Sequence, residues 1–530
     1  MLLTGAAMLL GLLQALGGLG VFILGMVIMV DGLHSGAGEG LQRLLARSTR
    51  SPLSGAITGA ASTSILQSSS ATTIAAVGFV SAGLLSFPQA LGIIYGANLG
   101  TTVTGWLVVF LGFKLKLGTL LLPLIFLGAM LRIFARGRLS DLGYALAGFG
   151  LIFLGIGQMQ LGMQDFGDVL TPDAFPDDSF TGRLQLIGLG VTITLITQSS
   201  SAGVATMLTL LYAGSVNFAQ AAAVVIGMDL ATSVKALIVT LGGRAEARRT
   251  GVSHLVFNLA TVVIALLMLQ PFIYAWEWVA GQNIEQSAEI ALVAFHSAFN
   301  LAAVVVMLPF VHLFARFIEF LVPDRGETPT LRLDPLLLRE PSVALHAALP
   351  QLQQQRDLVC EQLAILLRGE RADRERLAEL QHNLDHLHKF LDAMDLKPDQ
   401  ARLWHTLTAM MHGMDHLQRL HERCDEEPER GITACTMKLL RSPLKSLRWY
   451  LQADHVDPAV LEADYKRLEQ QRTRIRQAVI ADMVSGDLEV EEGTDQLEAL
   501  RWLVRVSKHL SRIDTHLQDA MLQDGKLPSN

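Results

Sequence analysis

The apolar positions of this chain fall into two regimes. Up to about residue 320 they run in long, nearly unbroken stretches; beyond it they recur at helical spacing among charges. Seven stretches, 6–30, 89–111, 118–134, 142–162, 220–241, 251–274 and 291–314, reach the roughly 20 residues that a helix needs to span a bilayer. Two further segments, 53–85 and 184–212, each carry the tetrapeptide Gln-Ser-Ser-Ser near the middle, flanked by Gly, Ser and Thr. From residue 51 to 113 there is no Lys, Arg, Asp, Glu or His, so these polar groups stand where lipid cannot satisfy them. Each segment reads as two half-helices forming a re-entrant hairpin that enters and leaves on one side.

Charge tests that topology. Arg43, Arg47 and Arg50 follow the first span, Arg132, Arg136 and Arg138 the third, Arg244, Arg248 and Arg249 the fifth, and Arg316 and Arg325 the last. Asp165, Asp168, Asp173, Asp177 and Asp178 fill one alternate loop, and Glu277, Glu285 and Glu289 another. With both Gln-Ser-Ser-Ser segments as hairpins, every arginine cluster lies inside and both acidic loops outside; only Lys114 and Lys116 dissent. The C-terminal part is then cytoplasmic and the protein is a multi-pass protein of the plasma (inner) membrane. Arg43 is the first basic residue, which predicts a retained first span rather than a cleaved signal.

The hairpins belong to a repeat. Laying Gln67 on Gln198 aligns 38 residues without a gap, with 14 identities, among them Ala82-Gly83 on Ala213-Gly214, Gln89 on Gln220, Gly96 on Gly227 and Thr101 on Thr232. Three spans between the copies, an odd number, make the copies inverted. Inverted repeats with broken helices are the architecture of secondary transporters, with the substrate near the midplane. No GxxxxGK[ST] loop occurs, so ATP is not the evident power source.

Composition separates the two parts. Of the 530 residues, the first 330 hold 15 Lys+Arg and 16 Asp+Glu, while the last 200 hold 27 and 33. The expected fold is all-α: a polytopic membrane protein with inverted repeats and re-entrant hairpins, then a soluble helical bundle. Expected boundaries are 1–325 for the membrane domain, with repeats over about 51–112 and 183–242, 326–334 for a linker and 335–525 for the bundle. A net charge of −7 without a dense basic patch argues against nucleic acid. Three cysteines, Cys360, Cys424 and Cys435, fit a reducing compartment.

The site chemistry follows. Helix N-termini inside a broken span present free N–H groups to an anion. Serine hydroxyls and glutamine amides donate to oxyanion oxygens, and the same hydroxyls, with exposed carbonyls, coordinate a hard cation such as Na⁺. With no Lys or Arg nearby in the first repeat, an anion needs co-bound cations, which points to cation–anion symport. Asp229 is the only charged residue between Arg183 and Lys235 and aligns with Asn98. A mid-span carboxylate is costly and usually functional, and an ion pair with Lys235 is the structural alternative.

The paired Gln-Ser-Ser-Ser motifs, with GANLGTT from Gly96 to Thr102, resemble the type II sodium–phosphate cotransporter family over about residues 1–322. The resemblance implies inorganic phosphate as substrate and Na⁺ as coupling ion. It implies phosphate binding at Gln67, Ser68, Ser69, Ser70, Gln198, Ser199, Ser200 and Ser201. Asn98, Thr101 and Thr102 are implied as neighbouring ligands; with Asp229, Thr232 and Ser233 of the second copy they make a candidate sodium set. There GMDLATS, from Gly227 to Ser233, departs from the first copy.

The C-terminal part shows long charged helices with breaks near Lys397-Pro398, Glu427-Pro428, Asp457-Pro458 and Gly486, and its place after such a transporter resembles a PhoU-like six-helix regulatory bundle. Two HxxDH motifs, His382, Asp385 and His386, and His412, Asp415 and His416, could each offer a divalent metal two imidazoles and a carboxylate from one helix face. The alternative is solvated helix surface, which is the reading for His509 and His516. The leading function is sodium-dependent phosphate symport by alternating access with a cytosolic regulatory domain. A membrane-anchored phosphate or metal sensor is the alternative, and a homo-oligomer is compatible with either. An enzyme is not expected: no nucleophile–base pair is visible, and His254 and His296 read as lone packing residues.

Overall fold

The structure is a computed structural model. It describes residues 2–81, 85–114, 121–163, 171–240, 245–323, 333–425 (apart from 334, 340, 369, 397 and 399), 447, 451 and 458–523. Ala82 and Gly83, Asp165 and Asp168, Arg244, the 326–332 part of the expected linker, the Glu427-Pro428 break and Cys435 lie outside the described residues. Nine-tenths of the structure is helical and no strand occurs among the described residues, so the fold is all-α. The chain divides into two compact units, Met1–Glu327 and Thr328–Asn530.

The first unit begins with α1 (Leu2–Ser48), α2 (Pro52–Leu66), α3 (Ser69–Ser81), α4 (Phe87–Leu107, continued by a π-helical turn to Lys114), α5 (Leu122–Phe134) and α6 (Arg138–Met163). It continues with α7 (Phe180–Thr197), α8 (Ser200–Tyr212), α9 (Phe218–Thr240), α10 (Ala245–Ala280), α11 (Ala288–Met307) and α12 (Val311–Leu321). Among the described residues seven segments are long and apolar enough to cross a membrane: Leu9–Gly36, Phe87–Lys114, Arg138–Met163, Phe180–Thr197, Phe218–Ile238, Ala245–Ala280 and Ile284–Leu321. Large apolar side chains such as Leu16, Leu142, Leu184, Leu267 and Val305 are exposed on their outer faces, as lipid contact requires.

This set differs from the expected one at two places. Of the stretch expected to span over 118–134, the described residues form the 13-residue α5, which starts at a leucine–proline step and ends before Gly137, a turn at φ +57 that suits glycine. At 1.5 Å per residue it covers about 20 Å, short of a bilayer core of about 30 Å. The other difference is α7, whose 18 residues make it longer than a half-helix.

α1 lies antiparallel against α6 through a ladder of small residues. Gly11, Gly18, Gly25 and Gly32 recur every seven residues and meet the α6 backbone at Gly162, Gly155, Gly148 and Asp141, which recur at the same interval in reverse. A Cβ at Gly18 or Gly25 would lie 2.6–2.8 Å from backbone atoms of α6, so only glycine allows the approach. In lipid, where apolar burial does not drive helices together, such close packing does.

The two repeats pack alike. Gly59 of α2 abuts the Ile93 carbonyl of α4, and Gly190 of α7 abuts the Val224 carbonyl of α9. Conversely Gly96 abuts the Ala56 carbonyl and Gly227 the Ile187 carbonyl. Every member of one set sits 131 positions before its partner in the other. The matched glutamines also agree: Gln89 Oε1 accepts the Ser86 N–H at 2.7 Å and Gln220 Oε1 the Asn217 N–H at 3.0 Å, closing the N-terminus of α4 and of α9.

The second unit is built on α13 (Pro341–Leu367), α14 (Arg374–Asp392), α15 (Ala401–Asp425), α16 (Pro458–Ser485) and α17 (Val490–Gln523). Leu345, Leu352, Leu384, Met414, Leu417 and Ile513 are among its buried core residues. Arg356 of α13 grips Asp514 of α17 with two hydrogen bonds, at 3.2 and 3.1 Å. Cys360 and Cys424 are buried free thiols, and burial pushes Cys360 up to about 12, which keeps it protonated and inert.

Candidate functional site: a polar cavity between the two repeats

Both Gln-Ser-Ser-Ser motifs break a helix in one way. Gln67 and Gln198 have φ +54 and +55, and no other non-glycine residue among those described has a positive φ. This left-handed backbone disfavours a side chain, so each glutamine has to be held by something local. Its own amide does this: Gln67 Nε2 donates to the Ser64 carbonyl at 2.6 Å, and Gln198 Nε2 donates to the Leu195 carbonyl at 2.5 Å. Each glutamine thus caps the helix before it. The serine that follows caps the next one: Ser68 Oγ accepts the Ala71 N–H at 3.3 Å, and Ser199 Oγ accepts the Ala202 N–H at 3.2 Å. In the first copy the arms turn back on one another, with Thr63 of α2 donating to Thr72 of α3 at 3.0 Å, on either side of the break.

A small cavity of about 10 Å³, room for about one water molecule, lies beside these breaks. Thr101, Thr104 and Gly105 of α4, Ser200, Ser201 and Val204 of α8, and His296 of α11 line it. Gln67 stands behind Thr104, whose hydroxyl donates to its Oε1 at 2.6 Å. Of the expected phosphate ligands, Ser200 and Ser201 line the cavity, at the N-terminus of α8, where free N–H groups and the helix dipole favour an anion. Ser69 is half-buried, Ser70 is exposed, and neither lines it.

Behind the cavity the expected sodium ligands form two matched clusters. Asn98 Nδ2 donates to Asn258 Oδ1, and Asn98 Oδ1 lies 3.1 Å from His254 Nε2. Asp229 Oδ1 lies 3.1 Å from His296 Nε2, and Asp229 Oδ2 accepts from Asn300 Nδ2 at 2.7 Å. Asn258 Nδ2 joins them, donating to the Asp229 carbonyl at 2.8 Å. Thr101 and Thr232 donate to the carbonyls of Asn98 and Asp229, and Thr102 and Ser233 to those of Leu99 and Leu230. Four hydroxyls are thus used in two identical patterns.

One expectation changes here. His254 and His296 are not lone packing residues; each is buried and faces the polar side chain of one repeat. The sequence carried the signal, since His-x-x-Phe-Asn occurs at His254–Asn258 and again at His296–Asn300, and its i, i+4 spacing puts imidazole and amide on one helix face. Among the described residues Asp229 pairs with His296; the side chain of Lys235 lies outside them.

The second unit does not assemble the metal sets expected from its HxxDH motifs. The rings of His382 and His386 lie 5.4 Å apart on α14, while Asp385 accepts from Gln381 at 2.8 Å. His412 and His416 of α15 pack instead on α17, against His516, with His509 also on His416, and Asp415 is exposed. Among the described residues no group of three or more His, Cys, Asp or Glu is arranged to hold a metal ion. His509 is buried rather than a surface residue.

Known proteins agree with this picture at the level of family. Residues 21–161 match the family described as Na⁺/Pi-cotransporter. The uncharacterized protein YqeW of Bacillus subtilis (strain 168) is 30% identical over 310 residues, 57% of this chain and 96% of that protein. The putative inorganic phosphate export protein YjbB of Escherichia coli (strain K12) is 29% identical over 420 residues, 75% of this chain and 74% of that protein. The Salmonella typhimurium protein of the same name is 28% identical over 420 residues. No solved structure matches. The chain, a multi-pass membrane protein with these relatives, belongs to the Na⁺/Pi-cotransporter family.

Proposed function

We propose that the first unit carries inorganic phosphate across the membrane together with Na⁺, by alternating access about the cavity between the repeats. The observation that supports this most is that both repeats break at a left-handed glutamine and that helices of both, α4 and α8, wall one polar cavity. Of the two Gln-Ser-Ser-Ser segments, Gln67 to Ser70 and Gln198 to Ser201, Ser200 and Ser201 meet phosphate there with the first-turn N–H groups of α8, while Gln67, Ser68, Gln198 and Ser199 hold the two breaks in shape. The oxygens of Asn98, Thr101, Thr102, Asp229, Thr232 and Ser233 serve Na⁺. Asp229 spends one acceptor site on each oxygen and keeps further lone pairs for a cation.

The second unit is proposed as a cytoplasmic PhoU-like regulatory domain that does not itself transport. The names of the YjbB relatives speak of phosphate export, and outward flow is open to a symporter when the phosphate gradient outweighs that of the ion. Phosphate flux in proteoliposomes, measured inward and outward with and without a sodium gradient, tests the reading. Sodium-stimulated flux is expected. Phosphate binding without any flux would make the protein a membrane-anchored sensor instead.

A further inference from the structure

The cavity has room for about one water molecule, and phosphate carries four oxygens around a phosphorus, so a wall has to move before the anion can enter. Three helices make the walls: α4, α8 and α11. α4 and α11 are fastened to each other beside the lining residues Gly105 and His296. There Trp106 Nε1 donates to Ser297 Oγ at 2.9 Å, and a Cβ at Gly105 would lie 3.2 Å from the Val293 side chain. α4 is also fastened to the first hairpin, through Thr104 on Gln67. α8 is different. Among the described residues its side-chain hydrogen bonds, from Thr206 and Thr209, go only to carbonyls of α8 itself, those of Ala202 and Ala205. Resting on the phosphate reading above, we infer that α8 is the movable wall of the cavity: it shifts on α9 to admit the anion, while its counterpart α3 stays fixed to α2.

The repeats show why the two arms differ. In the first, Thr63 of α2 donates to Thr72 of α3, both buried, and so locks the hairpin. The positions 131 further on are Thr194 and Gly203. Thr194 keeps the hydroxyl, but glycine offers nothing to receive it, and Thr194 Oγ1 is buried without a hydrogen-bond partner. A buried hydroxyl in that state costs free energy, which a shift of the hairpin that admits water recovers. Ser64 adds to the contrast: its hydroxyl reaches the Gly100 carbonyl of α4 at 3.4 Å, and its counterpart Leu195 has none. Gly203 instead faces Met228 of α9, whose Sδ would lie 2.7 Å from a Cβ there, and the residue matched to Met228 is Ala97. Methionine is unbranched and repacks readily, so α8 rests on a side chain that can follow it. The hydrogen bond that the second hairpin does have, from Thr197 to the Ser199 carbonyl at 3.2 Å, lies at the break itself, which makes Gln198 the hinge.

Hydrogen–deuterium exchange of the full-length protein in lipid nanodiscs, without phosphate, reads the difference between the arms. Amides of α8 should exchange about fivefold faster than those of α3, the worth of one net hydrogen bond. Thr63→Val, which removes the donor without touching α3, should speed exchange in α3, whereas Thr194→Val, whose hydroxyl has no partner, should leave α8 as it is. Gly203→Thr with Met228→Ala gives the second repeat the residues of the first; it should slow exchange in α8 and slow phosphate flux several-fold. Exchange in α8 no faster than in α3 in the wild type, or an α3 indifferent to Thr63→Val, would overturn the movable wall, whether or not the double variant folds. Undiminished flux in a folded double variant whose α8 has slowed would overturn it too. Fast exchange in α8 with no phosphate flux by the wild type would overturn the transport reading and leave the mobility of α8 standing.

Discussion

Asn98 and Asp229 occupy the same place in the two repeats, 131 residues apart, and each is held by a histidine and an asparagine spaced four residues along a single helix. Their surroundings match so closely that the difference between them is one negative charge. Asp229→Asn makes the repeats alike while nearly keeping the shape. Sodium affinity is expected to fall and the net charge moved per phosphate to change, with transport of phosphate retained. Sodium-titrated flux with charge movement in a reconstituted membrane measures both; if neither moves, Asp229 is structural.

The serines divide by position. Ser200 and Ser201 line the cavity, so alanine at either removes a donor from the proposed anion site and should weaken phosphate-dependent flux, by about 1–3 kcal/mol in apparent phosphate affinity. Ser199→Ala and Ser68→Ala remove helix caps and should instead lower stability by about 1 kcal/mol. Flux with thermal stability separates the two effects, and Ser70→Ala, at an exposed position off the cavity, should change flux least.

Much of this site was legible in the sequence because a repeat is a comparison the chain makes with itself. Gln67 against Gln198 predicted two breaks, and Gly96 against Gly227 marked a close approach that proves to be of backbone to backbone. What stayed hidden has physical causes. A histidine amid apolar residues reads as packing until the helix it faces is known, and the 156 positions between Asn98 and His254 carry no local pattern. The α5 segment looked like a span because hydropathy sees apolar length and not where a proline and a glycine turn cut it. The HxxDH motifs looked like ligand sets because one-helix spacing says nothing of the neighbouring helix, which meets His416 with two more imidazoles.

The matched glycines give a test of the repeat packing that does not involve substrate. A methyl group at Gly96 or Gly227 would collide with the backbone carbonyl of Ala56 or Ile187, which cannot rotate away as a side chain would. Alanine at either is expected to destabilise by about 1–3 kcal/mol, and by similar amounts at the two positions. Thermal unfolding of the purified variants measures it. Alanine at Gly17, with no atom within 4 Å, is the control and should be silent.

Removing the second unit tests modularity. A chain ending at Glu327 keeps the whole first compact unit, including every residue of the cavity. It is expected to insert, fold and move phosphate with its response to regulation lost. A well-inserted truncation with no flux at all would mean that the second unit is part of the transport machinery.

The histidines between α15 and α17 set a pH limit on the second unit. Burial, with His416, Arg419 and Lys508 adding repulsion, pushes His509 down to about 4, and His416 and His516 are lowered for similar reasons. A histidine near 6.5 in the unfolded chain and near 4 in the folded one binds its proton more readily when unfolded. Stability is therefore complete above about pH 6.5 and is lost as pH falls from there toward 4. His509→Phe keeps a ring of similar size without the proton, so the acid-side loss should shrink while stability at neutral pH changes little. Melting temperatures of the second unit across this range, for wild type and variant, decide it: parallel curves would show that other groups govern the acid limit.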